Sequence, residues 1–290
     1  METSFKSKYH ASSIAKAIRI MKCFTPDQMQ LGTTEIARKI GLSKATTHRI
    51  LNVLDENGVL QKSPVSKKYR IGPELYFLGS LYLITDDILE VAAPVIKKLN
   101  DLTNEVVNVA IFEKGYAVIV MREESKHELR WSRHVGSVLP TNSSSMGKAL
   151  LSELTEAEID SLYPVEELPQ ITTKTIRSKT ELKKELEQIR RDGISVDNEG
   201  TVEGIIGIGT LIRDASGKAV AAISIAAPTV RVNDTKRAIY TSLVKQGASL
   251  ISYSLGYRNQ EKPVKNLREV EYWWEQNKLN EGGDSFQNYK

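Results

Sequence analysis

The sequence predicts a two-domain α+β protein. Three observations carry this. The chain has 290 residues, which suits two domains of ordinary size better than one. The first 85 residues read as short helices with cap and stop signals at close spacing, followed by one hairpin. Beyond them come long strand-like runs joined by tight turns and interleaved with helices, the pattern of a domain built on a mostly antiparallel sheet. The expected boundaries are 10–72, a connecting helix over 73–86, a larger domain over 87–257 and a polar tail over 258–290.

Ser12 and Ser13 precede Ile14, Ala17, Ile18, Met21 and Phe24, a serine cap before an apolar stripe. Pro26-Asp27 ends that helix. Thr33 caps a second, short helix with Ile36, Ala37 and Ile40 inward. Gly41 supplies the left-handed residue that stops it. Leu42 is a buried turn residue, and Ser43 caps a third helix that runs to Asn57-Gly58. Two short helices separated by Gly-Leu-Ser make a helix-turn-helix over 33–52, TTEIARKIGLSKATTHRILN: the tight turn needs glycine, and the next helix needs a cap to start at once.

Thr47, Ile50, Leu51 and Leu54 form the inner face of the third helix. Ala45, Arg49 and Asn52 lie opposite, flanked by Thr46 and His48. Small or polar residues first and a cation further along suit entry into the major groove of double-stranded DNA; a plain solvated face is the alternative. Residues 59–62 and 67–71 read as strands around the turn Ser63-Pro64-Val65-Ser66, a hairpin that makes the module a winged helix; a generic charged hairpin tip is the alternative. The candidate DNA contacts are Lys44, Thr46, His48 and Arg49, with Ser43 at the cap. Thr33, Thr34, Lys67, Lys68 and Arg70 are assigned to the phosphate backbone.

Charge is distributed to match. Residues 1–85 hold 13 Lys/Arg against 6 Asp/Glu, and the rest hold 27 against 30. A basic module on a mildly acidic body is what phosphate binding by one domain produces. No apolar run approaches the roughly 20 residues that span a bilayer, and METSFKSKYH lacks a signal-peptide core, so a cytoplasmic location is expected. One cysteine, Cys23, excludes an internal disulfide framework and reads as a small buried apolar residue. Four histidines and one cysteine fit no zinc-finger spacing.

Residues 74–84, ELYFLGSLYLI, are apolar nearly all round. Such a helix needs cover, either from its copy in a second subunit or from its own chain. The second domain opens near Asp86 with a helix over 88–102. Strands follow over 106–112, 116–122 and 129–133, with Lys114-Gly115 as a hairpin turn. Asn142 to Gly147 lead into a helix over 148–154. A charged helix from Ser178 to Asp192, strands over 205–213 and 219–226, and a long helix over 234–255 complete the domain. The tail reads as loosely ordered; Trp273-Trp274 fits either docking on the body or a partner contact.

These elements, in this order, resemble the IclR family of bacterial regulators. The residues that carry the resemblance are SSIAKAIRIMKCF, TTEIARKIGLSKATTHRILNVLDENGVL and YRIG, then LPTNSSSMGKALLSELTEAE, VDNEGTVEGIIGIGTLIRDASGKAVAAISIAAPTVRV and ISYSLGY. The resemblance covers about residues 10–257. It implies a winged helix-turn-helix, a linker helix and a GAF-like effector-binding domain. It also implies dimers or dimers of dimers on palindromic operators, and control by a small organic acid or aromatic metabolite. Carried to matching positions, it implies an effector site of Trp131, Leu139, Ser145, Met146, Asp197, Ile205, Gly207, Ser224 and Ala226. The chain departs from many members at TNSSSMGK, which is more polar, and at Gly207 and Ala226, where some members carry cysteine and serine.

From the residues alone, Ser143 to Ser145 read either as donors at the start of a helix facing a carboxylate or as a cap with no ligand. Asp197 either meets a ligand hydroxyl or holds a backbone turn. Catalytic patterns are not expected. The serines lie in no G-x-S-x-G context, and His127 and His134 lack an acid partner. GTVEGIIGIG leads into a strand rather than a helix, so no dinucleotide cofactor is expected. Glu123-Glu124 and Glu166-Glu167 read as solvated charges, and no metal-ligand motif is present. A metabolic enzyme with a DNA-binding appendage and a non-specific architectural protein are the competing functions.

Overall fold

The computed structural model describes residues 13–25, 27–84 and 87–278, without the side chains of 80–87. Ser12, Pro26, Asp86 and the tail beyond 278, to which the sequence assigns a cap, a stop, a boundary and loose order, lie outside the described residues. The chain divides into two compact units between residues 86 and 87.

The first unit contains helices α1 (Ser13–Met21), α2 (Thr33–Ile40) and α3 (Lys44–Glu56), a hairpin of β1 (Leu60–Lys62) and β2 (Tyr69–Ile71), and α4 (Pro73–Ile84). α1 stops at Met21, short of Phe24. The cap of α2 is Gly32, not Thr33: the Glu35 carboxylate reaches back to accept from the Gly32 N–H at 2.6 Å, and that leaves Thr33 as the first helical residue. Gly41 has φ 67°, the left-handed conformation that the short turn into α3 demands. Ile20, Ile36, Ile40, Leu51, Leu54, Leu60 and Tyr69 close a small core. Leu31 and Tyr69 exchange backbone hydrogen bonds at 3.0 and 2.8 Å, so the wing is stitched to the segment before α2. The second wing strand is shorter than expected. Lys67, at φ 58°, and Lys68 belong to the turn, because the Lys67 N–H closes back on the Ser63 carbonyl.

The second unit is a six-stranded sheet with helices on both faces. Its strands are β3 (Val106–Glu113), β4 (Tyr116–Glu123), β5 (Val138–Pro140), β6 (Ser195–Asn198), β7 (Ile205–Arg213) and β8 (Ala219–Pro228), in the order β5-β4-β3-β8-β7-β6. Every pair is antiparallel. Lys114 and Gly115 both take positive φ at the β3–β4 turn, as a two-residue hairpin requires. One face carries α5 (Asp87–Thr103) and α9 (Asp234–Ser254), packed through Ile96, Leu99, Leu243 and Ile251 on Val107 and Ile225. The other carries α6 (Ser145–Leu151), with Met146 and Ala149 against Ala110, Ile119 and Ala222. α7 (Glu156–Leu162) and α8 (Lys179–Asp192) pack outside α6 through Ile159, Leu182 and Leu186 on Leu151.

Three expectations need correction. No strand forms over 129–133. There the Arg122 guanidinium donates to the Trp131 carbonyl and lies 5.3 Å from its ring centroid, so side-chain contacts replace a ladder, and β5 pairs with β4 instead. α6 begins three residues before the expected start, because Ser144 caps it. The tail is not loosely ordered over 267–277: α10 (Leu267–Asn277) docks on the α5–α9 layer with Val270 fully buried and Trp273 and Trp274 packed on the same core. Asn266 caps α10, and Lys98 pairs with Glu271 across the junction. The tryptophan pair therefore docks on the body.

Val270→Ala should cost roughly 1–3 kcal/mol of stability, the transfer and cavity cost of two lost buried methyl groups. Denaturant unfolding of the full chain measures it; an unchanged midpoint would restore the loose tail.

Candidate functional site

The first unit presents α3 as an exposed reading element. Thr47, Leu51 and Leu54 anchor it inward. The Ser43 hydroxyl accepts from the Thr46 N–H at 3.2 Å and donates to the Thr46 hydroxyl at 2.9 Å, so both side chains are partly engaged in capping. Lys44, His48 and Arg49 are exposed, and none has an ion-pair or hydrogen-bond partner among the described residues. Thr34 is exposed and Thr33 half-buried at the start of α2.

The wing cations differ in freedom. Arg70 is clamped across the hairpin by two bonds to Gln61, at 3.0 and 2.7 Å. Lys68 sits 3.7 Å from Glu35. Lys67 projects from the turn with no partner among the described residues. Lys62, which was not singled out in the sequence, stacks over Tyr69 at 5.3 Å. Cys23 is buried, and burial pushes its thiol pKa up. It packs as a small buried residue, as expected.

In the second unit, all nine residues of the implied effector site line one cavity. The atom-free space among these residues is about 330 Å³, counted to its mouth and including open solvent. β7 and β8 supply Ile205, Gly207, Ser224 and Ala226; α6 supplies Ser145 and Met146; β5, β6 and the 124–137 loop supply Leu139, Asp197 and Trp131. Ser144, one of the serines that the sequence offers as donors, also lines it, as do Thr201 and Val202, which were missed because the 199–204 turn between β6 and β7 has no periodic signal that points it inward.

The serine run divides its labour. The Ser143 hydroxyl pairs with Thr201 at 3.0 Å, and the Ser144 hydroxyl donates to the Pro140 carbonyl at 2.6 Å while accepting from the Gly147 N–H. These two hold the loop. The Ser145 and Ser224 hydroxyls have no hydrogen-bond partner among the described residues and remain for a ligand. Ser145 reaches the sheet because β7 offers no side chain there: a Cβ on Gly207 would lie 2.9 Å from its hydroxyl oxygen. Asp197 holds a backbone turn, the plainer of its two readings. One carboxylate oxygen accepts from the Gly200 N–H at 2.7 Å and the Thr201 N–H at 3.2 Å.

Comparison with known proteins bears directly on this pairing of a DNA-reading unit with a cavity. The family model described as the IclR helix-turn-helix domain matches residues 13–64, and that described as bacterial transcriptional regulator IclR C-terminal matches residues 80–253. The chain belongs to the IclR family of bacterial transcriptional regulators. The HTH-type transcriptional repressor AllR of Escherichia coli strain K12 is 33% identical over 248 residues, 86% of this chain and 92% of that protein. The transcriptional repressor IclR of the same strain is 27% identical over 246 residues, 84% of this chain and 90% of that one. Among solved structures, the Thermotoga maritima IclR aligns with a TM-score of 0.70 at 28% identity, covering 84% of this chain and 99% of that one. An IclR homolog of Microbacterium hydrocarbonoxydans, solved with 4-hydroxybenzoate, aligns with a TM-score of 0.75 at 23% identity, covering 84% and 99%. No helix among the described residues is long and apolar enough to cross a membrane.

In this IclR-family regulator, burial holds the Asp197 carboxyl above the usual aspartate range, against the lowering pull of Thr201, Lys148 and the turn N–H groups. A raised pKa favours the neutral acid in the folded state. Below the ordinary aspartate pKa the group is protonated, folded or unfolded, and costs nothing. As pH climbs through the raised value, the fold must hold a buried carboxylate and loses stability. Asp197→Asn keeps one acceptor for the turn and cannot ionise. Thermal unfolding from pH 4 upward should therefore show the variant gaining on the wild type as pH rises; parallel profiles would refute the assignment.

Proposed function

We propose that this regulator is a repressor of a catabolic operon whose hold on a palindromic operator is set by a small organic acid or aromatic metabolite bound in the α6–β7–β8 cavity. One observation carries the reading: a single chain joins a recognition helix with unpartnered, exposed cations to a separate unit with a small cavity lined by free hydroxyls. The repressor names of the relatives from Escherichia coli support the first half. The 4-hydroxybenzoate complex of the homolog from Microbacterium supports the second.

Base reading falls to Lys44, Thr46, His48 and Arg49, whose side chains leave the outward face of α3. Backbone contacts fall to Thr33, Thr34, Lys67, Lys68 and Arg70, with Ser43 fixing the helix start. Of the wing cations, Lys67 is the one with freedom to meet a phosphate without first giving up a partner. The operator reader works as a homodimer, or a dimer of dimers, with half-sites about one helical turn or a multiple apart. α4 supplies an apolar surface for pairing with its copy: Tyr76 is 82% exposed, Phe77 54% and Leu78 50%. The protein acts in the cytoplasm and is a regulator rather than an enzyme; sustained turnover of a bound metabolite would count against that.

Arg49→Ala should weaken binding to an operator selected from random DNA by about 1–3 kcal/mol, and Lys67→Ala should lower the salt slope of binding by about one. Equal affinity of the wild type for selected and random DNA would favour an architectural protein. Ser145→Trp should abolish the metabolite response in a mobility-shift assay while leaving ligand-free operator binding intact; a surviving response moves the site elsewhere.

A further inference from the structure

Residues that pair across antiparallel strands share a face, and the register of the sheet puts five residues in one row. From β6 to β4 these are Ser195, Gly209, Ser224, Asn108 and Arg122. The face is the one that packs α6, since Ala110 and Ala222, two residues along from Asn108 and Ser224, belong to the α6 core. A row buried under a helix is ordinarily apolar. This one carries the two side-chain polar atoms that are wholly shut off from solvent and have no partner among the described residues, Asn108 Nδ2 and Ser195 Oγ.

Asn108 is fully buried and lies between two residues tied to the cavity, although it is not itself one of the lining residues. On one side is Ser224, its cross-strand neighbour and a lining residue. On the other is Arg122, which donates to the Asn108 carbonyl oxygen at 2.8 Å and to the backbone carbonyl of Trp131, another lining residue. The two ends of a planar amide diverge. With Oδ1 turned to Arg122, Nδ2 is turned away from it, to the side of the row on which Ser224 stands. The Arg122 guanidinium is itself buried, with 3% of its side chain exposed, and is partly balanced by Glu124 at 2.6 Å. It fixes which end of the amide is left unpartnered.

Three groups able to donate thus have no partner among the described residues: Asn108 Nδ2 and the hydroxyls of Ser145 and Ser224, which meet over Gly209, where a Cβ would stand 3.3 Å from the Ser145 hydroxyl oxygen and 3.3 Å from the Ser224 Cβ. A carboxylate, with two oxygens and about four lone-pair sites, answers three donors at once. We propose that Asn108 is a ligand-binding residue of this cavity, donating from Nδ2 to a carboxylate oxygen of a small organic acid, with Arg122 as the positioning residue that holds the amide in that sense. This rests on the reading of the cavity as the effector site and specifies which end of the effector it grips.

The test uses the full chain and isothermal titration with 4-hydroxybenzoate and lactate, each beside its primary amide. Asn108→Asp keeps an acceptor for Arg122 but replaces the donor with an oxygen. The wild type should bind at least one acid better than its amide. The variant, with an unchanged melting temperature, should lose about ten- to a hundredfold in affinity for the acid and shift its preference toward the amide, whose N–H₂ can donate. In the unsubstituted protein, the Asn108 side-chain amide resonances should move on addition of the acid, which needs no variant to fold. Acid binding that Ser145→Trp abolishes but Asn108→Asp leaves within about twofold, with the amide resonances still, overturns the Asn108 assignment and leaves the cavity reading intact. Binding of neither acid, or binding indifferent to Ser145→Trp, removes the cavity reading and this inference with it.

Discussion

The approach of α6 to the sheet is the constraint on which the ligand-facing unit depends. A Cβ on Gly147 would stand 2.5 Å from the Thr141 Cα and 2.8 Å from the Pro140 carbonyl oxygen. A Cβ on Gly209 would stand 3.0 Å from the Ile223 carbonyl oxygen. These neighbours are backbone atoms, so no side-chain rotation relieves the clash. Glycine at 147 thus lets α6 close on the segment that leaves β5, and glycine at 207 and 209, where a Cβ would stand 2.9 and 3.3 Å from the Ser145 hydroxyl oxygen, lets the first turn of α6 rest directly on β7. That closeness puts the Ser145 hydroxyl on the cavity floor and buries all of α6. It also explains why Ser143 and Ser144 are spent on the loop: a chain turning this tightly under a helix must satisfy its own backbone groups.

The DNA-reading unit is built on the opposite economy. Its core is small, and its order comes from pairing. The Leu31–Tyr69 backbone exchange holds the wing to the α2 entry, and the Asp55 carboxylate accepts from the Lys62 N–H at 2.9 Å, tying the end of α3 to β1. Because anchoring is done by backbone groups and buried aliphatic side chains, the cations of α3 are left unengaged. The wing shows the contrast. Arg70, locked on Gln61, stiffens the hairpin, while Lys67 stays available.

How much of this was legible follows from the kind of signal involved. Helix starts and stops were readable because caps and left-handed glycines are local: Gly41, Ser43, Ser178 and Gly193 act within a turn of themselves. Thr33 misled because a threonine before an apolar stripe is a normal cap, and only the Glu35 bond to Gly32 moves the boundary. β6 and α7 are too short to generate a period. The 129–133 segment alternates like a strand, yet Arg122 captures Trp131 before a ladder can form, a competition between partners distant in sequence. α10 hid behind a charged composition; its buried stripe is Val270 and the tryptophans, too sparse to stand out. The nine cavity residues came from resemblance to a family. The residues alone left the serine run and Asp197 undecided, and Asn108 carried no signal, since an asparagine in an apolar strand announces nothing until its neighbours are known.

A ligand in this cavity can alter the hold on DNA only through a difference in its affinity for two arrangements of the protein. Driving such an equilibrium nearly to completion takes about 5.5 kcal/mol. An unanswered buried donor costs about 1–3 kcal/mol, so Asn108 Nδ2, met by an acid in one arrangement and not in the other, would supply part of that difference. The apolar wall does less, because Leu139, Met146 and Ile205 contact any ligand of the right size about equally well. Selectivity and switching would then both reside in the polar floor, and the glycines of β7 that bring Ser145 down to that floor are as necessary to the switch as the donors themselves.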